Sequence, residues 1–143
     1  MAHSQSELQS AFLNACRKQR LSVSMYLMKG VRLQGQITGF GSYSLVLRRG
    51  GQEQLVYKHS VCSIVPAERP DLELPTHRGD SLQDGFLDRH VDVGMTVFLT
   101  NGVLLKGRLV AHDAFSLLLE TGEGPQLLFK HAVSTLQPDG KQA

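Results

Sequence analysis

The chain has no tryptophan, only 6% aromatic residues and two cysteines in 143 residues. A stacking site must therefore be built from a few Tyr and Phe. Cys16 and Cys62 stand far apart and form no CxxC pair, so reduced thiols rather than a disulfide framework are expected. No apolar run approaches the roughly 18 residues that span a bilayer. The opening Met1-Ala2-His3-Ser4-Gln5-Ser6-Glu7 is polar and lacks the apolar core of a secretion signal, so a cytoplasmic location is expected. Acidic charge is scarce in one half alone. Residues 1–66 carry eight Lys/Arg and two acids (+6), 67–79 two and three (−1), and 80–143 five and eight (−3), which sum to +2. The first half suits a polyanion; the second does not by bulk charge.

What the chain does have is a repeat. Residues 23–66 align with 95–138 without a gap at a shift of 72, and 15 of these 44 positions are identical. They include Gly30/Gly102, Gly35/Gly107, Lys58/Lys130 and His59/His131; Tyr26/Phe98, Tyr43/Phe115 and Tyr57/Phe129 are close swaps. Repetition on this scale indicates two copies of one domain rather than one mixed core. The expected division is 1–66 for the first module, 67–79 for a Pro- and acid-containing, partly extended linker, 80–138 for a diverged second module, and 139–143 for a short frayed tail.

Each copy reads as a short helix and five antiparallel strands, a mainly β fold that commonly bends into a small barrel. Leu8, Phe12 and Cys16 make an apolar helical stripe, so Cys16 is expected in the core. Ser6-x-x-Gln9 resembles a capping box, and Asp80 with Gln83 the same for the second helix. Strands are expected at 23–28, 31–40, 43–48, 54–58 and 61–65, with turns at Lys29-Gly30 and Asn101-Gly102.

The residues Gln9, Tyr26-Leu27, Gly30-Val31-Arg32-Leu33-Gln34-Gly35 and Val56-Tyr57-Lys58-His59-Ser60-Val61 closely resemble the bacterial Hfq family of Sm-like RNA chaperones. Ser81-Leu82-Gln83-Asp84, Asn101-Gly102-Val103 and Phe129-Lys130-His131 resemble it more loosely. The chain thus looks like a tandem, fused Hfq. The resemblance implies edge-to-edge assembly, fourth strand to fifth, into a six-module ring. Three chains would supply it as a homotrimeric pseudo-hexamer; alternatively, each chain would serve two linked rings.

The resemblance also implies three RNA surfaces. A proximal pore would bind U-rich single-stranded RNA through Gln9, Ser42, Tyr43, Lys58 and His59, and through Gln83, Phe115, Lys130 and His131. Aromatic rings stack bases, Gln and Lys bond uracil carbonyls, and His reaches phosphate or a 2′-hydroxyl. A distal face would bind A-rich RNA through Tyr26, Gly30, Val31, Arg32, Leu33, Gln34, Gln54 and Phe98. It would be only partly retained, because Gln34 becomes Lys106 and Arg32 becomes Leu104 in the second copy. A rim of Arg17, Lys18 and Arg20 would promote pairing of small RNA with mRNA. The second copy, with Arg89-His90 among acids, lacks that patch.

A bland reading stands beside each of these surfaces: solvated turn charges, strand aromatics, a helix end. Recurrence of Gln, aromatic, Lys and His together in both copies favours binding at the pore. No enzyme, cofactor, metal, membrane or small-molecule substrate is expected. The histidines lack i,i+4 spacing, paired acids are missing, and His77 and His90 are expected at the surface. His112-Asp113 has no counterpart in Phe40-Gly41 and is given little weight. The alternative function is an Sm-like ring acting as a protein scaffold.

Overall fold

In a computed structural model, residues 6–77 and 79–139 are described. Of the tail 139–143 expected to fray, Asp139 is instead held, its N–H donating to the Gly94 carbonyl at 2.9 Å and its Oδ1 accepting from Thr96 Oγ1 at 2.7 Å; 140–143 and most of the opening polar stretch lie outside the described residues. The first module comprises α1 (Glu7–Lys18), β1 (Ser22–Leu27), β2 (Arg32–Phe40), β3 (Ser44–Arg49), β4 (Gln52–Tyr57), a 3₁₀ turn over Lys58–Ser60 and β5 (Val61–Pro66). The second repeats this order: α2 (Leu82–Arg89), β6 (Gly94–Leu99), β7 (Leu104–His112), β8 (Ser116–Thr121), β9 (Gly124–Phe129), a 3₁₀ turn over Lys130–Ala132 and β10 (Val133–Pro138). The fold is mainly β, built of two Sm-like modules. Among the described residues, no helix is long and apolar enough to cross a membrane.

Paired local features bend each module. Gly30 and Gly102 turn the chain at φ +84° and +92°, where a side chain would be strained. A Cβ on Gly35 would stand 2.5 Å from the Arg48 carbonyl oxygen, and one on Gly107 2.7 Å from that of Glu120. Only glycine lets β2 and β7 approach their neighbours so closely. The register slips between Ile37 and Gly39, and at the matching Leu109 and Ala111, adding bulges that sharpen the bend.

All ten strands form one antiparallel sheet in the order β10-β6-β7-β8-β9-β5-β1-β2-β3-β4. Within a module the fourth and fifth strands do not pair. Instead β5 pairs with β9, Ser63 opposite Leu128 and Ile64 opposite Leu127. The fifth strand of one module thus meets the fourth of the other inside a single chain. This leaves β4 and β10 as the outer strands.

The expectation of unmixed cores needs correction. Leu118, Leu127 and Phe129 of the second module pack in the first core with Phe12, Leu13 and Ile64, and Cys62 of the first module packs in the second core. The pairing of β5 with β9 makes the apolar interior continuous across the seam. Cys16 is fully buried as expected, and burial pushes its thiol up to about 12.

Both capping expectations also change. Ser6 does not cap α1 with its side chain; the Gln9 N–H donates to Asp113 Oδ2 of the second module at 2.8 Å. The cap of α2 is Ser81, in a reciprocal capping box with Asp84, rather than Asp80 with Gln83. The connector is extended but pinned. Ala67 N–H bonds the Ser22 carbonyl at 2.8 Å, Gln19 exchanges two hydrogen bonds with the Asp71 backbone, and Arg69 forks onto Glu120 at 2.8 and 2.6 Å.

Candidate nucleic-acid interface

The seam between β5 and β9 opens into two clefts. One, of about 490 Å³, gathers Gln9, Ser42, Tyr43, Lys58 and His59 of the first module with Phe115, Lys130 and His131 of the second. The backbone builds it twice over. Lys58 N–H bonds the Tyr43 carbonyl at 2.9 Å, and Lys130 N–H bonds the Phe115 carbonyl at 2.8 Å. Each lysine therefore starts its 3₁₀ turn beside its aromatic partner. Tyr43 is 82% exposed and Phe115 54%, so both rings present open faces.

The cations are poised rather than consumed. Burial lowers the pKa of Lys58, opposed by the charge of Asp113; burial likewise lowers that of Lys130, opposed by Asp113 and Asp84. Lys130 Nζ is buried with no hydrogen-bond partner among the described residues. Three donor protons without acceptors are costly unless a ligand supplies oxygens. His131 Nε2–H donates to the Val61 carbonyl across the seam at 2.9 Å. His59 stays exposed, stacked on Tyr57 at 6.0 Å.

Two glutamines diverge. Gln9 is 4% exposed, and its side-chain N–H donates to Ser116 Oγ at 2.8 Å, so it braces the seam at the floor of the cleft. Gln83 is exposed on α2 and does not line this cleft.

The other cleft, of about 330 Å³, sets Tyr26, Gly30 and Ser63 against Leu99, Asn101, Glu123 and Gln126. The expected distal residues are thereby divided. Tyr26 and Gly30 meet Gln126 of the other module, not Gln54 of their own. Gln54 lines a groove of about 620 Å³ beside the outer strand β4, with Arg32, Leu33 and Gln34. Val31 is 49% exposed outside both, and Phe98, 36% exposed, lies on β6 beside the outer strand β10.

The model of the Hfq protein family matches residues 8–71 and again 82–143. The chain belongs to the Hfq family. The RNA-binding protein Hfq of Ruegeria sp. (strain TM1040) is 50% identical over 68 residues, covering 48% of this chain and 86% of the relative. That of Brucella ovis is 44% identical over 68 residues, covering 48% and 87%. A 1.55 Å crystal structure of the pleiotropic translational regulator Hfq is 30% identical, with a TM-score of 0.39, covering 40% of this chain and 98% of that one.

The two Hfq modules differ in the charge beside their helices. Arg17, Lys18 and Arg20 are exposed at the end of α1, with Arg17 held by the Asn14 side chain at 2.7 Å. In the second module, Arg108 is tied to Asp92 at 2.6 Å and Arg89 lies over the Phe86 ring. Two histidine expectations are overturned. The His77 side chain is only 8% exposed, between Glu7 and Asp84, and His90 is half-buried against Phe86. Asn101 and Glu123 also line the second cleft, and the only sign of them in the sequence is the hairpin turns in which they sit. Asp113, given little weight, is fully buried and bonds both Gln9 N–H and Phe115 N–H, so it positions the cleft.

Proposed function

We propose that the chain is an RNA chaperone that binds single-stranded U-rich RNA in the seam cleft, A-rich RNA on a partly retained opposite face, and promotes pairing of small RNA with mRNA in post-transcriptional regulation. The observation that carries this reading is the cleft between modules. It combines two open aromatic faces, two lysines and two histidines, with the Lys130 ammonium lacking an acceptor among the described residues. Uracil offers carbonyl oxygens to such donors and a π-face to such rings. Hfq relatives are RNA-binding proteins by name, which supports the same class of ligand.

Three chains would close a six-module ring, β4 of one joining β10 of the next. Pairing of β5 with β9 inside one chain favours this ring over two linked rings, since both modules already sit side by side. The seam cleft would then alternate with clefts formed between chains, where Gln83 joins Tyr43 on the first module of the next chain. On the distal side, Tyr26 with Gln126 and Phe98 with Gln54 of the next chain would make two unlike adenine sites.

The test is fluorescence anisotropy with short oligouridine and oligoadenine. Phe115→Ala or Tyr43→Ala should weaken oligouridine by about 5- to 150-fold, the roughly 1–3 kcal/mol of one base stack, and leave oligoadenine unchanged. Equal loss of both ligands would contradict separate faces. Affinity should fall steeply with salt; salt-insensitive binding would favour the protein-scaffold alternative, and RNA turnover would favour an enzyme.

A further inference from the structure

One cluster of titratable side chains lies outside both clefts and plays no part in the RNA reading. The connector brings His77 against α2 and the end of β7. One ring nitrogen each from His77 and His112 and a carboxylate oxygen of Asp84 lie within 4.8 Å of one another. The two imidazoles meet edge to face at 5.3 Å.

Each histidine carries its own carboxylate. His112 is 4% exposed, and its Nε2 faces Asp88 Oδ1 at 2.8 Å. A carboxylate only accepts, so Nε2 holds a proton, and in the neutral ring Nδ1 presents a lone pair. That Nδ1 is buried and has no partner among the described residues. His77 Nδ1 faces Glu7 Oε2 at 3.3 Å, and its Nε2 faces Asp84 Oδ1 at 3.0 Å. Such carboxylate–histidine pairs fix the tautomer of metal-binding imidazoles and raise their basicity. A buried lone pair on a ring that stands beside a second imidazole and a carboxylate calls for a cation, not for another hydrogen-bond acceptor.

We propose that His77, Asp84 and His112 form a site for one divalent transition-metal ion, Zn²⁺ by ligand type, with Glu7 and Asp88 as positioning residues. Two imidazoles and one carboxylate suit Zn²⁺ and its neighbours in the first transition row, not Mg²⁺. Donors about 3.3–3.5 Å apart surround a four-coordinate Zn²⁺ with bonds of about 2.0–2.1 Å. His77 Nε2 and Asp84 Oδ1 already stand 3.0 Å apart, so His112 closes toward them on binding, and a water completes the shell. The ion displaces the proton shared between His77 and Asp84. It ties the connector, α2 and the last residue of β7 into one unit at the end of the seam.

The site arises from divergence of the copies. His112 and Asp88 stand where the first module has Phe40 and Asn14, and His77 belongs to the connector. A six-module assembly of three chains would therefore carry three sites, not six.

The test uses the full chain, stripped with chelator and titrated with Co²⁺ as a spectroscopic probe and Zn²⁺ as competitor. The wild type should bind one Co²⁺ per chain with ligand-field absorbance of a nitrogen–oxygen site, and Mg²⁺ should not displace it. His77→Gln and His112→Phe should each weaken binding by more than a hundredfold, Asp88→Asn by about ten- to hundredfold, and His90→Gln should change nothing. Zn²⁺ should raise the melting midpoint of the wild type but not of His77→Gln, a connector change that leaves both cores intact. No Co²⁺ binding by the wild type, or undiminished binding in both histidine variants, would overturn the proposal.

Discussion

The inner strands β5 and β9 and the outer strands β4 and β10 are copies of the same two sequences in different surroundings. Leu127 and Phe129 on β9 are 0% and 2% exposed, whereas their counterparts Leu55 and Tyr57 on β4 are 53% and 54%. Cys62 and Ser63 on β5 are buried, whereas Ser134 and Thr135 on β10 are exposed. Identical types such as Leu55 and Leu127 differ only because one has a neighbouring strand. The outer edges thus expose apolar residues whose counterparts are buried in the inner seam, as the proposed chain-to-chain seam requires. Not everything is kept. Asp113, which braces the inner seam by accepting from Gln9, is Gly41 in the first module, so the proposed chain-to-chain seam would lack such a carboxylate opposite Gln83.

This contrast can be broken by matched substitutions. The largest effect is expected at Leu127. Leu127→Ala should lower folding stability by about 2–5 kcal/mol through the cavity it leaves, read from denaturant unfolding. Leu55→Asp should leave each chain folded and abolish assembly, because an unpaired carboxylate would have to be buried against β10; unaltered assembly by native mass spectrometry would break the equivalence of the seams. Asp113→Ala should cost about 1–3 kcal/mol by orphaning two backbone N–H groups, seen as a lower melting midpoint. The reciprocal Gly41→Asp should strengthen association between chains, read by dilution. Weaker still, replacing Arg17, Lys18 and Arg20 by Ala should slow annealing of complementary RNAs without changing oligouridine affinity. The smallest change is expected for Arg69→Ala, whose exposed pairing with Glu120 is screened by solvent, checked by thermal unfolding.

Much of this was legible in the sequence. The gapless repeat carried the module count, the helix stripe carried Leu8, Phe12 and Cys16, and the Tyr-Lys-His blocks marked the cleft, because each depends on contacts within a few residues. What escaped depends on distant partners. An exposed connector of the same composition could let the modules part, so its sequence does not dictate that β5 pairs with β9. The Gln9 cap comes from Asp113, 104 residues away. Tyr26 finds Gln126 rather than Gln54 for the same reason: the distal cleft belongs to a seam, not to a module. His77 and His112 show no ligand spacing, and only the packing of the connector on α2 brings them together.

Native mass spectrometry of the full chain with and without a short oligouridine tests the central claim most directly. The account predicts three chains per particle, taking up to six uridines, one for each cleft. A monomer, or a particle of six chains in linked rings, or a trimer indifferent to oligouridine would contradict it.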